Sequence, residues 1–138
     1  MTIKHTLFFT ILLAFLLGSA FTLPQDQKKG PAWDIPTTYK SKKNSEKPTD
    51  ESLKIGKALY AKHCRSCHGN TGTGDGPKSK NLETWPGDFT SESFQKGTDG
   101  ELYFKSIIGR DEMPNFEKNI PDEESRWAVI NYIRTLKK

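Results

Sequence analysis

From residue 50 onward, apolar positions recur at helical spacing in three stretches, and no apolar–polar alternation runs long enough to predict a strand. The first stretch carries Leu53, Gly56, Leu59 and Tyr60 and is expected to start at Asp50, whose carboxylate suits an N-cap. It runs on to two cysteines, Cys64 and Cys67. The second starts near Thr98 or Asp99, carries Leu102, Tyr103, Ile107 and Ile108, and should stop at Gly109. The third starts at Asp122, and its stripe is Trp127, Ile130, Ile133 and Leu136. Glu123 and Glu124 in its first turn and Arg134, Lys137 and Lys138 at its end match the helix dipole. The pattern predicts one all-α domain over residues 50–138, small for a self-sufficient core. A large bound apolar group would supply part of the missing interior.

The N-terminal part reads differently. Lys4 precedes the apolar run Leu7 to Leu17, and Gly18-Ser19-Ala20 resembles a small-residue cleavage site, so residues 1–23 read as an export signal. Thr6 to Leu23 is also 18 residues without a charge, the lower limit for a membrane-spanning helix, which leaves an uncleaved anchor as the second reading. Residues 24–49 contain Pro24, Pro31, Pro36 and Pro48, several lysines and no sustained period, and read as a linker or N-terminal extension. Trp33, Ile35 and Tyr39 are too few to build a core there. A disordered tether and a strap docked on the following domain both fit this composition.

The formal net charge of +4 changes this picture little. Residues 50–138 hold 14 Lys plus Arg and 14 Asp plus Glu, so the excess lies wholly in the leader and linker. That balance gives no support to a strongly basic docking face. No basic helix or stripe with interleaved aromatics exists, so nucleic acid is not an expected partner. The linker lysines could touch anionic lipid, but solvated charge is the expected reading.

The chemistry concentrates at Cys64-Arg65-Ser66-Cys67-His68, the C-x-x-C-H spacing of c-type haem attachment. Two thiols three residues apart can form thioethers with the two vinyl groups of one porphyrin, and the adjoining histidine then offers an imidazole nitrogen to iron. A redox dithiol would want a βαβ context, which is missing. Structural zinc would need a second ligand pair, and the remaining histidines, His5 and His63, do not make one.

Iron held by one histidine needs a sixth ligand or keeps an open position. His63 is tied to the ring edge by its neighbour Cys64, and Met1 is in the leader. Met113 is the one internal methionine, 45 residues after His68, between the Gly109 stop and Pro114, and is expected in a loop. Core filler is the ordinary role of methionine; axial ligation by Met113 is the expectation here. A His/Met pair favours electron transfer and raises the reduction potential.

These residues resemble the class I, single-haem cytochrome c family over about residues 50–138. The resemblance rests on Gly56 and Tyr60, on Cys64 to His68, and on Gly69-Asn70-Thr71-Gly72-Thr73-Gly74-Asp75-Gly76-Pro77. It continues through Asp99 to Phe104, Met113-Pro114-Asn115-Phe116, and the terminal run Arg126 to Leu136. It implies an all-α cytochrome c fold of three to four helices around one covalent haem c, iron included. The first and last helices would cross near Gly56, with Tyr60, Trp127 and Tyr132 packed around the crossing as plain core. It also implies that the carbonyl of Pro77, nine residues past His68, accepts a hydrogen bond from that histidine's second nitrogen. The glycines at 69, 72, 74 and 76 are expected to permit tight turns; they lack the Lys-Ser/Thr ending of a phosphate loop.

The expected function is one-electron transfer in the periplasm or on the outer face of the cytoplasmic membrane, between a redox donor protein and an acceptor. Haem attachment outside that membrane agrees with the export signal. The alternative is a haem-bearing subunit of a larger periplasmic or membrane oxidoreductase, with Trp33 to Tyr39 as an assembly contact. A gas-binding haem is a third possibility and requires a vacant sixth site. The sequence shows no nucleophile, acid–base pair or second cofactor motif, so any catalysis is expected to belong to a partner.

Overall fold

The computed structural model describes residues 28–138, so the leader at 1–23 and the first linker residues lie outside it. Among the described residues all regular structure is helical: α1 (Thr37–Lys40), α2 (Asp50–His63), α3 (Arg65–His68), α4 (Glu92–Gln95), α5 (Asp99–Tyr103) and α6 (Glu123–Thr135). A short 3₁₀ turn covers Ser79–Asn81, and α5 widens into a π-helical turn over Phe104–Ile108. The three expected helices are α2, α5 and α6; the other short helices carried no periodic signal. No helix among these is long and apolar enough to cross a membrane.

Side-chain caps set where the helices begin. Thr49, one residue before the expected Asp50, caps α2 in a reciprocal pair with Ser52. Asp50 and Glu51 then lie in the first turn, where the helix dipole favours them. Thr98 and Glu101 form the same box at α5, and the Asp122 carboxylate accepts from Ser125 N at 2.8 Å at α6. The second helix departs from expectation inside: Gly109 N donates to Phe104 O, five residues back, so its last turn is π-helical.

α2 and α6 cross at Gly56. A Cβ there would overlap the backbone carbonyl of Ala128 and meet the Tyr132 side chain, so only glycine permits this approach. Tyr60 and Tyr132 flank the crossing with ring centroids 5.3 Å apart. Trp127, next to Ala128, packs on Tyr103 of α5 at 4.6 Å. The core joins Tyr60, Leu102, Tyr103, Ile107, Trp127, Val129, Ile130 and Ile133, with Phe89, Phe116 and Ile120 from loops. Arg134 does more than complement the dipole of α6: its guanidinium donates to Gln95 O, Gly97 O and Asp99 Oδ1 and ties α6 to the start of α5.

The described part of the linker is a docked strap. Ile35 is buried, and Tyr39 packs on Tyr103 and Phe104. Lys42 pairs with Glu123 at 2.5 Å, and Asn44 donates to the buried Asn131 at 2.8 Å. This stretch, which lacks a period, is thus held by individual side chains rather than by a helical face.

Candidate haem site

Cys64 caps the end of α2 and opens α3, and its carbonyl accepts from both Cys67 N (3.2 Å) and His68 N (3.0 Å). The chain then folds back beneath this turn. Gly74 N donates to His68 O (3.0 Å), Gly76 N to Cys67 O (3.1 Å) and Lys78 N to Ser66 O (2.8 Å). Gly69, Gly72 and Gly74 all take left-handed conformations, as a tight glycine loop requires. Cys64, Cys67 and His68 thereby come to one wall of a cavity of about 660 Å³.

Met113 reaches the same cavity from far along the chain. Gly109, at φ 73°, turns the chain out of the π-helical segment, and a Cβ there would strike the carbonyl of Met113. Met113 N donates to Arg110 O at 2.8 Å, and Phe116 N to Ile107 O at 2.8 Å. The first bond closes the loop on itself, and the second ties its far end to the π-helical turn. Phe89, Phe94, Trp85 and Phe116 supply aromatic walls. Phe116 belongs to the Met113-Pro114 motif already singled out in the sequence; Trp85, Phe89 and Phe94 were missed because residues 82–97 have no period to mark an inward face.

The electrostatics follow from burial. Cys64 and Cys67 are not joined in a disulfide; burial, with the Cys67 sulfur adding to it, pushes the Cys64 thiol up to about 12. His68 is 5% exposed, and neither of its ring nitrogens has a hydrogen-bond partner. Burial brings its pKa down to about 4, so it is a neutral imidazole, the form that ligates metal. A buried polar atom left unpaired costs about 1–3 kcal/mol. Two such atoms on one ring facing an aromatic cavity fit a partner of another kind, a metal bond on one nitrogen. Phe89 stacks on this ring at 4.2 Å and holds its orientation.

His63 also lines the cavity, with Nε2 buried and unpaired and its ring edge-on to Phe116 at 5.7 Å. Burial lowers its pKa as well, with Lys62 adding to the effect. Its neighbour Cys64 keeps it on the wall that carries the cysteines. Pro77 lies in the fold-back between Gly76 and Lys78, but His68 Nδ1 donates to no carbonyl in this structure, and the bond implied for Pro77 is not made. Among the described residues, no group of three or more His, Cys, Asp or Glu is placed to hold a metal ion by itself. Two thiols, a neutral imidazole, a thioether and an aromatic enclosure fit an iron porphyrin attached through sulfur.

The cytochrome c family model matches residues 53–137. No curated protein matches the chain. Among solved structures it is similar to a chain of the Kuenenia stuttgartiensis reducing HAO-like protein complex Kustc0457/Kustc0458, at 28% identity and a TM-score of 0.60. The similarity covers 67% of this chain and 47% of that one, so this chain spans under half the length of that relative. The cavity, its donor set and the matched span lead to one assignment: the chain belongs to the cytochrome c family, a haem-based electron-transfer family whose members carry covalent haem c with iron.

Proposed function

We propose that this protein is a one-electron carrier whose haem c is bonded to Cys64 and Cys67 and held axially by His68 and Met113. The observation that carries this reading is the meeting, in one cavity, of both cysteines, an imidazole with two buried unpaired nitrogens, and Met113. The bound haem supplies the Fe(II)/Fe(III) couple. The protein's part is to hold and to shield. Cys64 and Cys67 prevent loss of the cofactor, and His68 presents a nitrogen already free of its proton. Met113 fills the position that a gas or water would otherwise take, and its thioether raises the potential. Phe89, Phe94 and Phe116 keep water from the ring and so limit rearrangement on electron transfer.

The sequence of residues 1–23 supports export, and so a place in the periplasm or on the outer face of the cytoplasmic membrane, anchored there if the leader persists. Donor and acceptor would be redox proteins of that compartment. A second reading, an electron-relay subunit of an oxidoreductase assembly, is favoured by the likeness to a component of a named complex. Replacing both Cys64 and Cys67 with alanine should abolish haem staining on a denaturing gel; staining that survives rules out covalent attachment at this motif. Stoichiometric co-purification of the wild type with an oxidoreductase would select the subunit reading over the free carrier.

A further inference from the structure

The strap forms part of the haem cavity. Gly30, Pro31, Ala32 and Trp33 line it together with the cysteines, His68 and Met113. What holds them there is Arg110, three residues before Met113. Its Nη1 donates to Ala32 O at 2.7 Å, its Nη2 donates to Pro31 O, and its guanidinium carbon lies 4.0 Å from the Trp33 ring centre. Trp33 in turn stands edge-on to Phe104, where the π-helical turn begins. The carbonyl of the same Arg110 accepts from Met113 N.

A second tie comes from Glu112, whose two carboxylate oxygens accept from Glu83 N and Thr84 N at 3.0 Å each. The backbone N–H of the next residue, Trp85, donates to Lys28 O of the strap at 3.0 Å. Strap, residues 83–85 and the Met113 loop therefore close a ring of contacts around the cavity. The loop has no helical ladder of its own to keep its shape, so charge-assisted bonds and cation–π contact from these neighbours set its position.

We propose that residues 28–40 act as a clamp on the Met113 loop, with Arg110 and Trp33 as positioning residues that keep Met113 from being displaced by outside ligands. This rests on the reading of Met113 as the sixth ligand. The test uses full-length holoprotein carrying Trp33→Ala or Arg110→Gln. Exogenous imidazole is titrated into the ferric protein while the near-infrared sulfur-to-iron band is followed. Amide exchange is measured at Met113 and Phe116, with Ile130 in α6 as reference. Loosening the clamp should tighten apparent imidazole affinity about tenfold, equivalent to about 1.4 kcal/mol. Exchange at Met113 and Phe116 should accelerate similarly while Ile130 stays unchanged. Trp33→Phe, which keeps a ring over the guanidinium, should leave both readouts close to wild type.

Unchanged imidazole affinity and loop exchange in both variants overturn the clamp and leave Met113 ligation standing. Exchange that accelerates equally at Ile130 also overturns it, since the strap would then only stabilise the whole domain. A wild type that lacks the sulfur-to-iron band removes Met113 as ligand. Amide exchange then decides the clamp alone, selective acceleration at the loop upholding it and unaltered rates rejecting it.

Discussion

Met113 packs against the core while partly buried, so a filler and a ligand occupy the same place and only their chemistry separates them. As filler, truncation would cost up to about 2–5 kcal/mol and leave the optical spectrum alone. As ligand, Met113→Ala should remove the ferric sulfur-to-iron band, lower the reduction potential and admit carbon monoxide to the reduced protein. Loss of stability with the band intact would make Met113 packing only. Tyr60 shows the opposite balance, a reactive group doing structural work. Its hydroxyl donates to Gly69 O at 2.8 Å at the head of the glycine loop, and the side chain is 2% exposed. Desolvation, with Cys64, Tyr132 and Asp75 adding to it, holds its pKa well above the ordinary tyrosine value. Tyr60→Phe should therefore cost about 1–3 kcal/mol at pH 8, because it strands a carbonyl. The folded pKa is the raised one, so this stabilisation is complete below about pH 10 and falls as the unfolded chain ionises above it. Denaturation midpoints at pH 8 and pH 11 should show the gap between wild type and variant narrowing at the higher pH.

Between elements, the contact most sensitive to a single atom is the crossing of α2 and α6. Alanine at position 56 would gain roughly 0.5–1 kcal/mol of helix propensity over glycine. It would also force the Ala128 carbonyl away, an overpacking cost of about 1–3 kcal/mol. The second effect wins, and Gly56→Ala should lower the melting temperature by several degrees, while Lys57→Ala on the exposed face should leave it nearly unchanged. A Gly56→Ala protein as stable as wild type would mean that the two helices can part without loss. The caps were legible in the sequence to within a residue because Thr, Asp and Ser at helix starts act on their own first turn. The π-helical turn was not, since Phe104–Ile108 has an ordinary helical pattern and the wider turn is selected by where Gly109 and the Met113 loop must dock.

For the molecule as a whole, the reading of residues 1–23 as an export leader has the largest consequence. N-terminal sequencing of the exported protein should begin near Phe21; an intact leader in the membrane fraction would instead establish an anchored protein. In the anchored case the reach of the haem domain is short, because residues 28–49 are docked against α5 and α6 and are not free to serve as a long tether. Acid and base are balanced over residues 50–138, so the basic excess of the described fold sits on the docked strap, where Lys28, Lys29, Lys40, Lys42, Lys43 and Lys47 face only Asp34 and Glu46 as acids.

The sequence by itself determined the covalent chemistry and the helical class. C-x-x-C-H is a contiguous signal, because thioether spacing and the histidine beside it depend on one turn of chain. Helical stripes and caps are likewise properties of neighbours within four residues. Only the tertiary structure decided which residues close the cavity. Phe89, Phe116 and Trp33 come from stretches with no period, and Arg110 meets Pro31 and Ala32 across nearly eighty residues. Such contacts are set by how the Gly56 crossing and the glycine loop bring distant segments together, and no local pattern records a partner that far away.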